Sequence, residues 1–190
     1  WGIDCAMAAS ALASNGYDKL DGFDLIREKP DPAFKADLTV YLDCATLDRG
    51  PADWRSQAPV INIDHHASNT RYGDTLWIEP RCSSVGEMMF YLTRRADAKL
   101  TEAMATAMFT AILTDTGSFR YRNAGARQHR IAAELIEAGA DPDAIAQMAY
   151  NNLTEAGARL MGYVFTHITL LARGRIAWSE VRKETYHRLG

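Results

Sequence analysis

Val60-Ile61-Asn62-Ile63-Asp64-His65-His66 decides how the rest of the chain is read. A short β-branched run delivers an acid and two adjacent histidines at its end. Val and Ile favour a pleated, half-buried surface, and buried parallel strands read as near-continuous apolar runs. Open α/β sheets bind ligands outside the carboxyl ends of their strands. Carboxylate with imidazole is a ligand set suited to Mn, Zn or Fe. The stretch therefore predicts a strand of a parallel sheet with metal ligands where such a sheet holds its active site. The same tripeptide also suits an ordinary junction, where Asp starts a turn and the neighbouring histidine is exposed. Other strand and helix ends decide between the two.

Upstream, Ala36 to Cys44 carries Leu-Thr-Val-Tyr-Leu and predicts a strand that ends at Asp43. Asp48-Arg49-Gly50-Pro51 is a turn. Parallel strands need a crossover. Residues 45–58 leave room only for a short one, mostly loop with one helical turn. Asp43 and Asp64 are then expected at the carboxyl ends of neighbouring parallel strands. Downstream, Asp74 to Ile78 reads as a short edge strand closed by Pro80.

The period then becomes helical. Ser83 to Arg95 has apolar residues at Val85, Met88, Met89 and Leu92, with Ser83 or Ser84 as N-cap. Thr101 to Thr114 is apolar on most sides, as in a helix buried in a larger core. Ala126 to Ala138 ends at Gly139, a C′ residue. Asp141-Pro142 opens a helix to Tyr150. At the N-terminus, residues 3–14 read as an Ala-rich helix, and residues 17–35 as loop with one short strand. Leu153 to Leu171 reads as one helix long enough to bridge two domains, and Arg175 to Val181 as a strand after the Gly174 turn. The predicted fold is α/β: a Rossmann-like, mostly parallel sheet flanked by helices, followed by a helical linker.

The chain of 190 residues is 47% hydrophobic and carries a net charge of −3. That suits one domain, or one domain and part of another. The charge disfavours a broad basic face for long duplex nucleic acid, whose backbone needs many Lys or Arg to neutralise it. Cys5, Cys44 and Cys82 have neither zinc-pair spacing nor secreted-scaffold density, which points to the cytoplasm. No run approaches a membrane span, and no signal peptide is visible. Position 1 is Trp, so the natural beginning is expected to lie upstream.

Four places along the chain carry acids or histidines suited to metal: Asp4, Asp43, Asp64-His65-His66 and Asp115. Asp115 follows the apolar helix. Acids often cap apolar segments, and any single one is more readily a solubilising end. Several ends converging on one sheet edge describe a two-metal hydrolase. A carboxylate shared between two ions activates water for in-line attack on phosphorus, and the charge offsets that of the phosphoryl oxygens.

At this point the residues resemble the DHH phosphoesterases, over about Ala36 to Arg175. Asp64-His65-His66 is similar to the motif that names the family, and Tyr41-Leu42-Asp43-Cys44 to its second motif. Thr114-Asp115-Thr116-Gly117-Ser118-Phe119-Arg120-Tyr121-Arg122-Asn123 resembles the fourth. Cys82-Ser83-Ser84-Val85-Gly86-Glu87 and the stretch Arg127 to Ala140 resemble the oligoribonuclease and phosphoadenosine-phosphate phosphatase (nanoRNase) branch. The resemblance implies that Asp43 bridges two ions, taken as Mn2+, with Mg2+, Co2+ or Fe2+ as alternatives. His65, Asp115 and Asp4 complete a metal site. His66 faces the scissile phosphate and Asp64 orients a histidine. Ser83, Ser84 and Arg120 contact phosphate or the water network, against N-cap and surface readings. Successive residues leaving a strand point to opposite sides, which would set one histidine on metal and the other on substrate.

The first motif departs from the family pattern of His followed by two aspartates one residue apart. In Trp1-Gly2-Ile3-Asp4, Gly2 stands where the first aspartate would be, and the histidine would precede Trp1. The implied organisation is a catalytic domain over residues 1–152. Residues 153–190 would form a long connecting helix and the start of a substrate-binding domain, whose Gly-Gly-Gly-His stretch is absent. The implied activity is hydrolysis of short oligonucleotides or small nucleotides, including linear or cyclic dinucleotides, by an enzyme without membrane attachment and free to form a homodimer. Three other readings remain open. They are a pyrophosphatase or exopolyphosphatase on the same metal core, a degenerate nucleotide-binding module, and a Rossmann-type cofactor protein, although no G-x-G-x-x-G is present.

Overall fold

Alternation along Ile61-Asn62-Ile63-Asp64 sorts the two faces of the central strand. In a computed structural model, which describes residues 3–10, 16–31, 33–50, 56–150 and 153–189, this strand is β4 (Val60–Asp64). It lies between β3 (Thr39–Leu42) and β5 (Thr75–Ile78), parallel to both. Thr39 pairs with Val60 and Leu42 with Ile63, while Asp64 pairs with Ile78. Asp43 and Asp64 thus leave adjacent parallel strands at their carboxyl ends, as the sequence predicts. Ile63, with Ile61 beside it, packs against Cys82, Val85 and Met88. The opposite face carries Asn62 and Asp64, both fully buried. The crossover includes a 3-10 turn at Leu47–Arg49; Pro51 lies outside the described residues.

Helix α1 (Val85–Arg95) begins at Ser84, whose side chain accepts a hydrogen bond from the Glu87 backbone N–H. Helix α2 (Glu102–Asp115) is capped by Thr101, followed by α3 (Ala126–Glu137) and α4 (Pro142–Tyr150). Their inward residues Phe90, Met108, Phe109, Ile112, Ile131, Leu135 and Ile145 make one core. Gly86 allows a close approach of α1 and α2. A Cβ there would stand 2.7 Å from the Ala111 Cβ and 2.8 Å from the Met108 carbonyl oxygen.

Two expectations are corrected. The Ala-rich start is not helical over residues 3–10; β1 (Met7–Ala8) pairs in parallel with β2 (Ile26–Arg27). Its Ala content favours a helix locally, but propensity is a weak prior that tertiary pairing overrides. Residues 11–15 of that expected helix, and Trp1 and Gly2, lie outside the described residues. The second correction concerns the helix expected over 153–171. α5 (Glu155–Thr166) starts at the Thr154 cap and stops at Thr166.

The chain divides into two compact units, Trp1–Ala149 and Tyr150–Gly190. In the second, α5 is followed by β6 (Thr169–Leu171), which pairs antiparallel with β7 (Ile176–Trp178), and then α6 (Lys183–Leu189). The hairpin turns through Ala172, Arg173 and Gly174, all at positive φ. None of residues 153–189 is buried.

Candidate metal centre

The site begins where three elements end. Asp43 follows β3, Asp64 ends β4 with His65 and His66 just beyond, and Asp115 is the last residue of α2. One ligand atom from each of Asp43, Asp64, His65 and His66 lies within 4.8 Å of the others. His65 Nε2 stands 3.3 Å from Asp43 Oδ1 and 3.5 Å from Asp115 Oδ2, so it links strand and helix ends. Asp43 takes φ 60°, a left-handed conformation that Asp tolerates better than most residues. Backbone strain of this kind clusters at functional sites.

Asp64 is the buried anchor. Its Oδ1 accepts from the His65 and His66 backbone N–H groups at 2.8 and 3.3 Å and stands 2.7 Å from His66 Nδ1. Asn69 donates to Oδ2 at 2.6 Å. Burial alone would raise this carboxyl, but the bonds from Asn69 and His66 outweigh it and hold its pKa below the usual carboxylate value. The histidine that bonds Asp64 through its ring is His66. The two imidazoles do not diverge as strand alternation suggests. The strand ends at Asp64, the chain turns, and the rings lie 4.5 Å apart with His66 Nδ1 also 3.7 Å from Asp43 Oδ1.

The electrostatics suit a cation. Burial and the neighbouring Asp43 carboxylate raise the Asp115 pKa. The hydrogen bond that the ring donates to Asp43 raises the pKa of His65 against the opposing effect of burial, and Asp115 adds to the rise. Acids and imidazoles are thus drawn into one cluster, where the carboxylates favour the charged form of His65 and disfavour that of Asp115. Three carboxylates with two imidazoles form a mixed oxygen and nitrogen set of the kind that Mn, Fe or Zn accepts.

The remaining predicted residues fall in different places. Asp4 is exposed and is not among the clustered ligands. Ser83 and Ser84 are fully buried and bonded to Glu87, so their geometry supports the helix-start reading rather than contact with phosphate. Arg120 is exposed and its Nε donates to the Gly117 carbonyl at 2.7 Å. That carbonyl opens the left-handed run Gly117, Ser118 and Phe119, which turns the chain after Asp115.

Sequence reasoning missed the residues behind the ligands. Asn62 donates to Asn69 Oδ1 at 3.3 Å and to the Tyr72 carbonyl at 3.2 Å, which holds the loop after His66 over β4. Asn69 and Tyr72 in turn donate to the Cys44 carbonyl beside Asp43, at 3.3 and 2.9 Å. An Asn within an apolar buried strand was the available signal, since buried amides need partners. Glu87 was likewise legible in Ser84-Val85-Gly86-Glu87, a capping-box spacing. Among the thiols, Cys5 is exposed, Cys44 is half-buried with a raised pKa, and burial with the nearby Glu87 pushes Cys82 up to about 11.

Residues 2–112 match the DHH family, N-terminal domain. The chain is 28% identical over 167 residues to the bifunctional oligoribonuclease and PAP phosphatase NrnA of Bacillus subtilis, covering 86% of this chain and 53% of that protein. It is 40% identical over 80 residues to the Thermus thermophilus protein of the same name, covering 42% of this chain and 25% of that one. A crystal structure of an exopolyphosphatase-related protein from Bacteroides fragilis aligns with TM-score 0.80 at 26% identity, covering 92% of this chain and 55% of that one. The chain spans no more than about half the length of these relatives. With the family match running over more than half of the chain, and Asp64-His65-His66 at the centre of the acid cluster, this protein belongs to the DHH family.

Proposed function

We propose that this chain carries the catalytic part of a divalent-metal phosphoesterase that hydrolyses short oligonucleotides or small nucleotides, such as nanoRNA and phosphoadenosine phosphate. The observation that carries the reading is the meeting of Asp43, His65 and Asp115 around His65 Nε2, beside Asp64 and His66. Asp43, His65 and Asp115 would hold Mn2+, with Asp43 shared between two ions. Asp4 would join them from the first motif. A bound divalent ion supplies Lewis-acid polarisation of a phosphoryl oxygen and lowers the pKa of water. Asp64 fixes His66 through Nδ1, which leaves the opposite ring nitrogen to face the scissile phosphate, stabilise its charge or protonate the leaving oxygen. Arg120, exposed beyond Asp115, would meet a substrate phosphate. Residues 153–190 would form the start of a substrate-binding segment. The free cysteines fit a reducing cytoplasm.

The names of the B. subtilis and T. thermophilus relatives support the substrate class. The B. fragilis neighbour favours a second reading, cleavage of polyphosphate or pyrophosphate on the same cluster. Purified protein with Mn2+ would be offered di- to pentaribonucleotides, phosphoadenosine phosphate, pyrophosphate and polyphosphate. Release of mononucleotides or of 3′-phosphate is the expected result. Turnover of the inorganic substrates alone would overturn the nucleotide assignment. Binding without any turnover would make the chain a nucleotide-holding module.

A further inference from the structure

Glu87 is a fully buried carboxylate on α1 that belongs to no ligand cluster, yet every oxygen is engaged. Its Oε2 accepts from the Ser83 backbone N–H at 2.7 Å, from the Ser83 hydroxyl at 2.9 Å and from Gln128 Nε2 at 2.9 Å. Its Oε1 pairs with Arg127 Nε at 2.8 Å and accepts from the Tyr91 hydroxyl at 3.3 Å. An ordinary capping box returns the acid to the N-cap backbone N–H. Here it reaches one residue further back and seizes Ser83 by both its donors. Burying a charge is costly unless it is paired and hydrogen-bonded, so this degree of engagement calls for an account beyond helix capping.

The stretch held by Glu87 runs directly to the site. The Ser83 carbonyl accepts from Asn123 Nδ2 at 3.4 Å, and the same amide donates to the Asp115 carbonyl at 3.1 Å. One residue earlier, the Cys82 backbone lies within reach of the His65 ring. His65 turns Nε2 toward Asp43 and Asp115, so Nδ1 is the nitrogen left for the Cys82 carbonyl. Metal-binding histidines usually donate their second ring N–H to such a partner, which fixes tautomer and orientation.

We propose that Glu87 is a positioning residue of the metal centre: clamped between Arg127 and Gln128, it fixes the Cys82-Ser83 segment, whose two carbonyls set His65 and the Asp115 turn. The proposal rests on the metal reading above and adds a residue that touches neither ion nor substrate. It also gives Arg127 and Gln128 a place in the site, although both stand on α3, away from the ligands.

The test uses the whole chain and two readouts. The first is the tautomer of the His65 ring in metal-free protein, from long-range 1H–15N correlation at a pH where the ring is neutral. The second is Mn2+ affinity by calorimetry. Wild type is expected to show His65 protonated at Nδ1. Glu87→Gln places an amide N–H against donors that need an acceptor. It should mix the tautomers and weaken Mn2+ binding roughly 10–100-fold. Asn123→Ala should weaken Mn2+ binding while leaving the tautomer intact, because it cuts only the Asp115 branch. Leu135→Ala, a core control, should lower thermal stability and move neither readout. A folded Glu87→Gln protein with the wild-type tautomer and affinity would overturn the proposal. If Glu87→Gln does not fold, Ser83→Ala decides on the same two readouts. A wild type that takes up no Mn2+ would sink the metal reading instead, and the tautomer alone would then judge Glu87.

Discussion

Asp43 stands at φ 60°, where an ordinary side chain is strained by about 1–2 kcal/mol. This affects how the position is best tested. Asp43→Ala removes a negative charge facing Asp115 but puts Ala in a backbone conformation it resists, so the two effects on stability oppose each other. Asn tolerates the same conformation and keeps the shape. Above the pH at which His65 loses its proton, Asp43→Asn should therefore retain or raise the thermal midpoint of metal-free protein while phosphoesterase turnover with Mn2+ falls below detection. Surviving turnover would refute a shared-ligand role. The histidines divide by partner. His65→Ala should weaken Mn2+ binding, with excess Mn2+ partly restoring the rate. His66→Ala should keep the metal and lose roughly 10²–10⁴-fold in single-turnover rate. Equal losses of metal affinity would contradict that division.

His65 also predicts a pH dependence. Its pKa in the folded, metal-free protein is raised, chiefly by Asp43. The charged ring therefore stabilises the fold fully below the unfolded histidine value of about 6.5, and that contribution is lost as pH rises through the higher folded value. Cation uptake runs the other way, because it requires the neutral ring. In chelator, the thermal midpoint of wild type should fall toward that of His65→Gln as pH rises. Mn2+ affinity should fall as pH drops through the same value. A wild-type advantage that grows with pH would contradict the assignment.

Among the elements, α1 and α2 meet at Gly86, where an added methyl would contact the Ala111 Cβ and the Met108 carbonyl. Gly86→Ala should cost about 1–3 kcal/mol by overpacking, read as a lower urea midpoint at unchanged m-value. No loss would mean the helices separate easily. The helices of the first unit were legible because each carries a cap and an apolar period: Ser84 before Val85, Thr101 before Glu102, Pro142 after Asp141. The sheet was legible because β3 and β4 are short apolar runs, the first followed by Asp43 and the second ending in Asp64. The start of the chain was not. The Ala-rich run has helical composition, but its pairing with Ile26–Arg27 is a long-range event that local pattern does not encode. The end of α5 was missed because Ile168 to Leu171 continues its apolar content. A hairpin partner at Ile176–Trp178, not composition, makes Thr169–Leu171 a strand. At the site, the meeting of strand-end and helix-end acids with the histidines was legible, whereas the shared direction of His65 and His66 depends on where the chain turns after β4.

At the scale of the whole molecule, burial is unevenly shared. The first unit holds all the described buried residues, while residues 153–189 leave Phe165, Leu170 and Trp178 largely exposed. Amide exchange should accordingly be faster in α5 and the β6–β7 hairpin than in α2, by the link between buried contacts and local opening energy. Equal protection would show that this unit is covered in solution. The three thiols offer a separate gauge. Cys5 lies open, Cys44 sits under the amide and phenol that hold the Asp43 loop, and Cys82 is sealed between β4 and α1. A maleimide at neutral pH would label Cys5 at once, and the later two reactions would time separate events. Labelling of Cys44 would clock release of the loop over the ligands, and labelling of Cys82, parting of sheet and helix. The order in which mass steps appear, with and without Mn2+, would then show which part of the molecule a bound cation holds shut.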